Sequence, residues 1–179
     1  MCDSDCFFNV DKFNLFLDKM LTGKYKVGTP NHYNFTRLKI GDTQRIHESL
    51  RTFNEPRKDK EIGAALGGGC FAATRTALYH VKLWDEDFRG WGGEDTAIGS
   101  KFFKEGWTYD SGDALRMDNL GYHLWHPAKG DVEGYMTNKE VNANLFNDRY
   151  VNLPLPHYKN YLKKINIRHL GYRKKYENE

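Results

Sequence analysis

The sequence predicts an α/β domain. Three observations predict it: helical apolar periodicity at several points of the chain, short strand-like runs between those helices, and glycines at the expected element ends. At 179 residues the chain is one domain by length and can bury a sizeable core. It is 39% hydrophobic and 28% charged, without a polar low-complexity tract, which excludes a disordered chain.

Residues 1–8 read as the end of a buried strand running into a turn. Over 10–21, Phe13, Phe16, Leu17, Met20 and Leu21 recur at helical spacing, and Gly23 is the expected stop. Short strands and loop follow over 24–41, then a second helix over 42–53 capped by Asp42 or Thr43. A charged connector fills 54–60. Ile62 to Thr74 reads as one strand interrupted by Gly67-Gly68-Gly69, a pattern that marks a bulge or a ligand close to the backbone. A short helix is expected over 75–82, a loop over 83–93, and a helix over 94–105 with Ile98, Phe102 and Phe103 on one face and Gly106 as its stop. Two or three strands fill 107–123. A last helix carries Tyr158, Tyr161, Leu162 and Ile165 at i, i+3, i+4 and i+7. The division expected is a catalytic part, 1–130, and a loop with a basic helical tail, 131–179.

The net charge of +3 conceals an asymmetry. Residues 1–149 hold 20 basic and 22 acidic residues, whereas 150–176 hold seven basic and no acidic ones. Residues 158–175 therefore read as a basic amphipathic helix facing an anionic partner, a membrane surface or an acidic polysaccharide, with packing on the domain's own core as the alternative. No nucleic-acid partner is expected. No apolar run reaches spanning length and no signal peptide is visible, so a cytoplasmic protein, peripheral at a membrane at most, is expected. The odd count of Cys2, Cys6 and Cys70 reads as free thiols.

The chemistry concentrates in four places. Asp3-Ser4-Asp5 offers two carboxylates that point to one side of an extended segment and suit a hard divalent cation. Gly68-Gly69 lets backbone N–H groups approach a phosphate or sugar. Arg89-Gly90-Trp91-Gly92-Gly93-Glu94-Asp95 puts a flat ring and a flexible pair ahead of two carboxylates at a helix start. There the macrodipole favours negative charge, and a carboxylate can also take the proton of an attacking hydroxyl. His123 and His126, in Tyr-His-Leu-Trp-His-Pro, offer an imidazole to a borderline metal.

Taken together, these motifs resemble the catalytic half of GT-A glycosyltransferases, of the family-two, chondroitin-polymerase-like type and the galactosyltransferase C-terminal-region type. The residues carrying the resemblance are Asp3-Ser4-Asp5, Gly68-Gly69, Trp91-Gly92-Gly93-Glu94-Asp95 and Tyr122-His123. The 29 positions from Glu94 to His123 fit that family. The resemblance implies the C-terminal half of a GT-A mixed sheet with flanking helices, lacking the N-terminal nucleotide-binding half, which would be a separate partner. It implies transfer of a hexose or N-acetylhexosamine from a UDP-sugar to a glycan hydroxyl, with inversion. Asp5 and His123 would hold Mn²⁺ or Mg²⁺, with Asp3 assisting and His126 as the alternate ligand. Gly68 and Gly69 would line the donor site. Trp91, Gly92, Gly93 and Glu94 would meet the acceptor, and Asp95 would be the base. Lys82-Leu83-Trp84-Asp85-Glu86 stands where relatives usually carry glycines before Asp-Glu, which predicts a stiffer loop. Two other functions fit the same residues: a non-catalytic subunit binding a glycan or completing a split enzyme, and a metal-dependent phosphoesterase.

Overall fold

The computed structural model describes residues 6–30, 34–38, 41, 61–63, 69–90, 92–117, 121–124 and 138–164. The helix expected over 42–53 and the connector after it lie outside the described residues. The described residues mix helices and strands, which is compatible with the α/β class.

Strand β1 (Cys6–Phe8) leads into helix α1 (Val10–Leu21). Asn9 begins the helix because its side chain accepts from the Lys12 N–H at 3.1 Å. The buried face of α1 is narrower than its periodicity suggests. Phe16 and Met20 are buried and Phe13 is half-buried, but Leu17 and Leu21 are exposed. The helix packs against β2 (Val27–Thr29) at Gly28, where a Cβ would lie 2.8 Å from Met20 Sδ and 3.0 Å from the Leu115 carbonyl oxygen. Only glycine allows this approach.

The strands form two mixed sheets. One has the order β1, β7 (Gly121–His123), β3 (Asn34–Arg37), β4 (Glu61–Gly63). The other has the order β5 (Ala72–Ala73), β2, β6 (Ala114–Arg116). The single strand expected over 62–74 is thus two strands, β4 and β5, in different sheets. Gly69, ahead of β5, has φ +69, a left-handed conformation that glycine adopts freely and a strand does not.

Helix α2 (Arg75–His80) and helix α3 (Glu94–Lys104) cover the second sheet. Val27, Phe71, Ala77, Val81, Ile98, Phe102 and Trp107 form this core. The apolar face expected for α3 needs correction: Ile98 and Phe102 are fully buried, but Phe103 is 69% exposed. Lys101 takes the buried position instead, with 0% exposure. Its ammonium reaches the Leu83 carbonyl at 2.7 Å, so the charge is hydrogen-bonded where a hydrocarbon was expected.

Helix α4 (Lys139–Phe146), a π-helical turn (Asn147–Val151) and helix α5 (Leu155–Lys164) complete the described chain. Tyr158 and Leu162 of α5 join Phe88, Ala97 and Tyr150 in a second core. Over the described part of the tail, the apolar face therefore packs on the domain itself, while Lys159, Lys163 and Lys164 are exposed. Ile165 and the tail beyond it lie outside the described residues. No helix among the described residues is long and apolar enough to cross a membrane.

Helix α2 ends in a Schellman turn: Leu83 N–H donates to the Leu78 carbonyl and Lys82 N–H to the Tyr79 carbonyl. Lys82 and Leu83 have φ of 63° and 57°. These two side chains keep a backbone shape that glycine adopts without strain. Lys82→Gly is accordingly expected to raise stability by about 1 kcal/mol. Urea denaturation checks it, and a stability equal to that of Lys82→Ala would contradict it.

Candidate functional site

The loop 83–93 delivers the acidic pair to the first turn of α3. Gly93 caps the helix in a left-handed conformation, φ 91°, with no side-chain hydrogen bond. A Cβ on Gly93 would sit 2.7 Å from Phe88 Cε1, so both backbone and space demand glycine here. Gly92 has φ +101 and open space around it. Glu94 and Asp95 then stand in the first helical turn, the charge arrangement that the macrodipole favours. Glu94 Oε2 is buried and has no hydrogen-bond partner among the described residues. A buried carboxylate oxygen without a donor costs free energy, and an incoming hydroxyl would satisfy it.

His123 lies in the other sheet, on strand β7. Cys6 is its Cα partner on one side and Arg37 on the other. Its Nδ1 is 2.8 Å from the Leu124 carbonyl oxygen. A carbonyl only accepts, so Nδ1 is the donor in this contact. Asp5 directly precedes Cys6 in the chain. Asp3, Asp5, Gly68, Trp91 and His126 lie outside the described residues. Among the described residues, no cluster of three His, Cys, Asp or Glu could hold a metal ion.

The structure also brings forward residues that the motifs did not single out. Asp85, whose side chain is 5% exposed, accepts from Arg149 Nη1 at 2.7 Å, Tyr150 OH at 2.7 Å and Tyr161 OH at 3.0 Å. Arg149 Nη2 reaches Asp87 at 2.7 Å. Burial pushes the Asp85 carboxyl up, but hydrogen bonds from Arg149 and Tyr150 outweigh it and hold the group below its ordinary value. The Asn142 side chain accepts from Arg89 N–H at 3.3 Å and donates to the Arg89 carbonyl at 2.8 Å. The one signal in the sequence was the acidic run Asp85-Glu86-Asp87, which needs a cation. Nothing local pointed to Asn142 or Arg149.

Burial draws the Lys101 ammonium down to about 8, against an opposing pull from Asp85. The folded chain thus holds fewer protons than the unfolded one between about 8 and 10.5, and stability rises with pH across that window. The tyrosines act in the opposite sense. Burial, with Asp85 adding to it, pushes Tyr161 up to about 12 and Tyr150 well above its ordinary range. Burial raises Tyr158 as well. Their contribution is present below the ordinary tyrosine value of 10.0 and is lost above it. The urea midpoint is expected to rise from near pH 7 to about 9 and to fall beyond about 10. In Lys101→Met the rise should vanish, and a rise that persists would remove Lys101 as its cause.

Comparison with known proteins bears on the same segment. Residues 45–124 match a family model described as the N-terminal domain of galactosyltransferase. The match takes in loop 83–93, α3 and His123, but not the first acidic pair. The chain is 26% identical over 102 residues to chondroitin synthase of Escherichia coli. That alignment covers 57% of this chain and 13% of the relative. No solved structure matches. The family match and the relative together support a glycosyltransferase family member.

Proposed function

We propose that the chain supplies the metal, acceptor and base elements of an inverting glycosyltransferase. It corresponds in this reading to the C-terminal half of a GT-A fold, and the nucleotide-binding half is its partner. The reaction moves a hexose or N-acetylhexosamine from a UDP-sugar to a glycan hydroxyl. The observation that carries the reading is the carboxylate pair at the start of α3, entered through Gly92-Gly93, with a buried Glu94 oxygen lacking a donor among the described residues.

Glu94 accepts a hydrogen bond from the acceptor sugar and fixes its angle of approach. Asp95 takes the proton of the attacking hydroxyl. The freed oxygen forms a bond to the anomeric carbon on one face. The bond from that carbon to the diphosphate breaks on the opposite face, and its electron pair leaves with UDP. Trp91 offers a ring face to the sugar. Asp5 and His123, with Asp3 assisting, would hold Mn²⁺ or Mg²⁺, which would stabilise the charge on the departing diphosphate. Gly68 and Gly69 would line the donor phosphates. The exposed Lys159, Lys163 and Lys164 would face an anionic glycan or membrane surface through charge alone, since the neighbouring apolar side chains are packed inward.

Calorimetry with UDP and Mn²⁺ tests the donor side. Asp5→Ala and His123→Ala are each expected to abolish metal-dependent UDP binding, and His126→Ala to weaken it less. A more damaging His126→Ala would reassign the ligand. Glycan binding without UDP binding would favour a non-catalytic subunit, and phosphate release without an acceptor would favour a phosphoesterase.

A further inference from the structure

We propose that Asn142 is a positioning residue of the acceptor site, holding the run 89–95 so that the carboxylates of α3 meet an acceptor hydroxyl. The inference rests on the reading of Glu94 and Asp95 given above. Asparagine is a poor helix former, yet Asn142 stands inside α4 with 1% exposure. Its amide is the reason. A primary amide offers one acceptor and two donors in a plane, and here it engages both backbone groups of Arg89, as the neighbouring strand of a sheet would. The same residue also lies beside the other end of the run. Its backbone oxygen lies 3.4 Å from the place a Cβ on Gly93 would occupy, and Phe88 closes that place from another side at 2.7 Å. Asn142 is therefore bonded to the chain at 89 and bounds the space that a side chain at 93 would fill. Four residues earlier, Asp85 is tied to Arg149 one turn beyond α4. A loop carrying three glycines is held at Arg89 by one buried side chain, its exit at Gly93 is hemmed in by Phe88 and the Asn142 backbone, and an ion pair fixes the approach. Holding such a loop in advance lowers the ordering cost of binding.

The test combines hydrogen exchange over 86–97 with two binding measurements on the intact chain. The probes are a short chondroitin oligosaccharide for the acceptor side and UDP with Mn²⁺ for the donor side. In Asn142→Ala, exchange over 89–95 is expected to quicken about tenfold or more, and oligosaccharide affinity to fall by a similar factor, with UDP affinity unchanged within about twofold. Asn142→Asp keeps an acceptor for Arg89 N–H but sets a carboxylate against the Arg89 carbonyl, so it should fall between wild type and Asn142→Ala. Unchanged exchange over 89–95 overturns the proposal. So does a parallel loss of both affinities, which a general loss of fold would produce. If the wild-type chain binds UDP but no oligosaccharide, the acceptor reading fails and the acceptor role of Asn142 fails with it. Exchange then still decides whether Asn142 holds the loop.

Discussion

Asp95→Asn is expected to lower sugar transfer by about 10²–10⁴-fold in the complete, active form of the enzyme, with donor affinity unchanged. The change keeps the shape of the side chain and its place in the first turn of α3. It removes the ability to take a proton. A base acts on the acceptor hydroxyl as the new bond forms, so its loss appears in turnover and not in binding of UDP. Glu94→Gln provides the contrast. An amide can still hydrogen-bond a hydroxyl, so its main effect should be a raised KM for the acceptor. Single-turnover assays of both variants at saturating donor separate the roles. If Asp95→Asn turns over normally and Glu94→Gln does not, the base is Glu94.

Asp85→Ala should cost about 3–5 kcal/mol of stability, the usual result of removing one partner from a buried ion pair. Its carboxylate accepts from Arg149, Tyr150 and Tyr161 and offsets the charge of the buried Lys101. Without it, the Tyr150 hydroxyl loses that acceptor in a buried place, and the buried Lys101 loses the opposing charge that favours its protonated form. Asp87→Ala is the control. Arg149 contacts Asp87 at the same 2.7 Å, but the Asp87 side chain is 63% exposed. Water screens that pair, and its loss should cost about 1 kcal/mol or less. Urea denaturation of the two variants decides the point. Equal losses would mean that burial does not set the strength of this network.

The stops of helices were legible in the residues. Gly23 and Gly106, read as stops, each lie two residues past the end of α1 and α3, whereas the side-chain caps Asn9 and Thr74 were not singled out. The Gly-Gly-Glu-Asp entry to α3 was legible too. Faces were less so. Periodicity put Phe103 inside and did not anticipate Lys101 there, because a buried lysine depends on a carbonyl 18 positions away. The strand expected over 62–74 failed for a related reason. Composition cannot say which partners β4 and β5 will find, and they pair in different sheets.

From the sequence alone come the α/β class, the positions of α1, α2 and α3, the carboxylate pair at a helix start and the late histidine. All of these follow from residue type and spacing within a few turns. Only the tertiary structure decided what surrounds that pair. It set Cys6 beside His123, tied Asp85 to Arg149 and Tyr161, and closed Asn142 over Arg89. Those contacts join residues 53 to 117 positions apart. Their strength depends on burial and on geometry between distant elements, which exist only once the chain has folded.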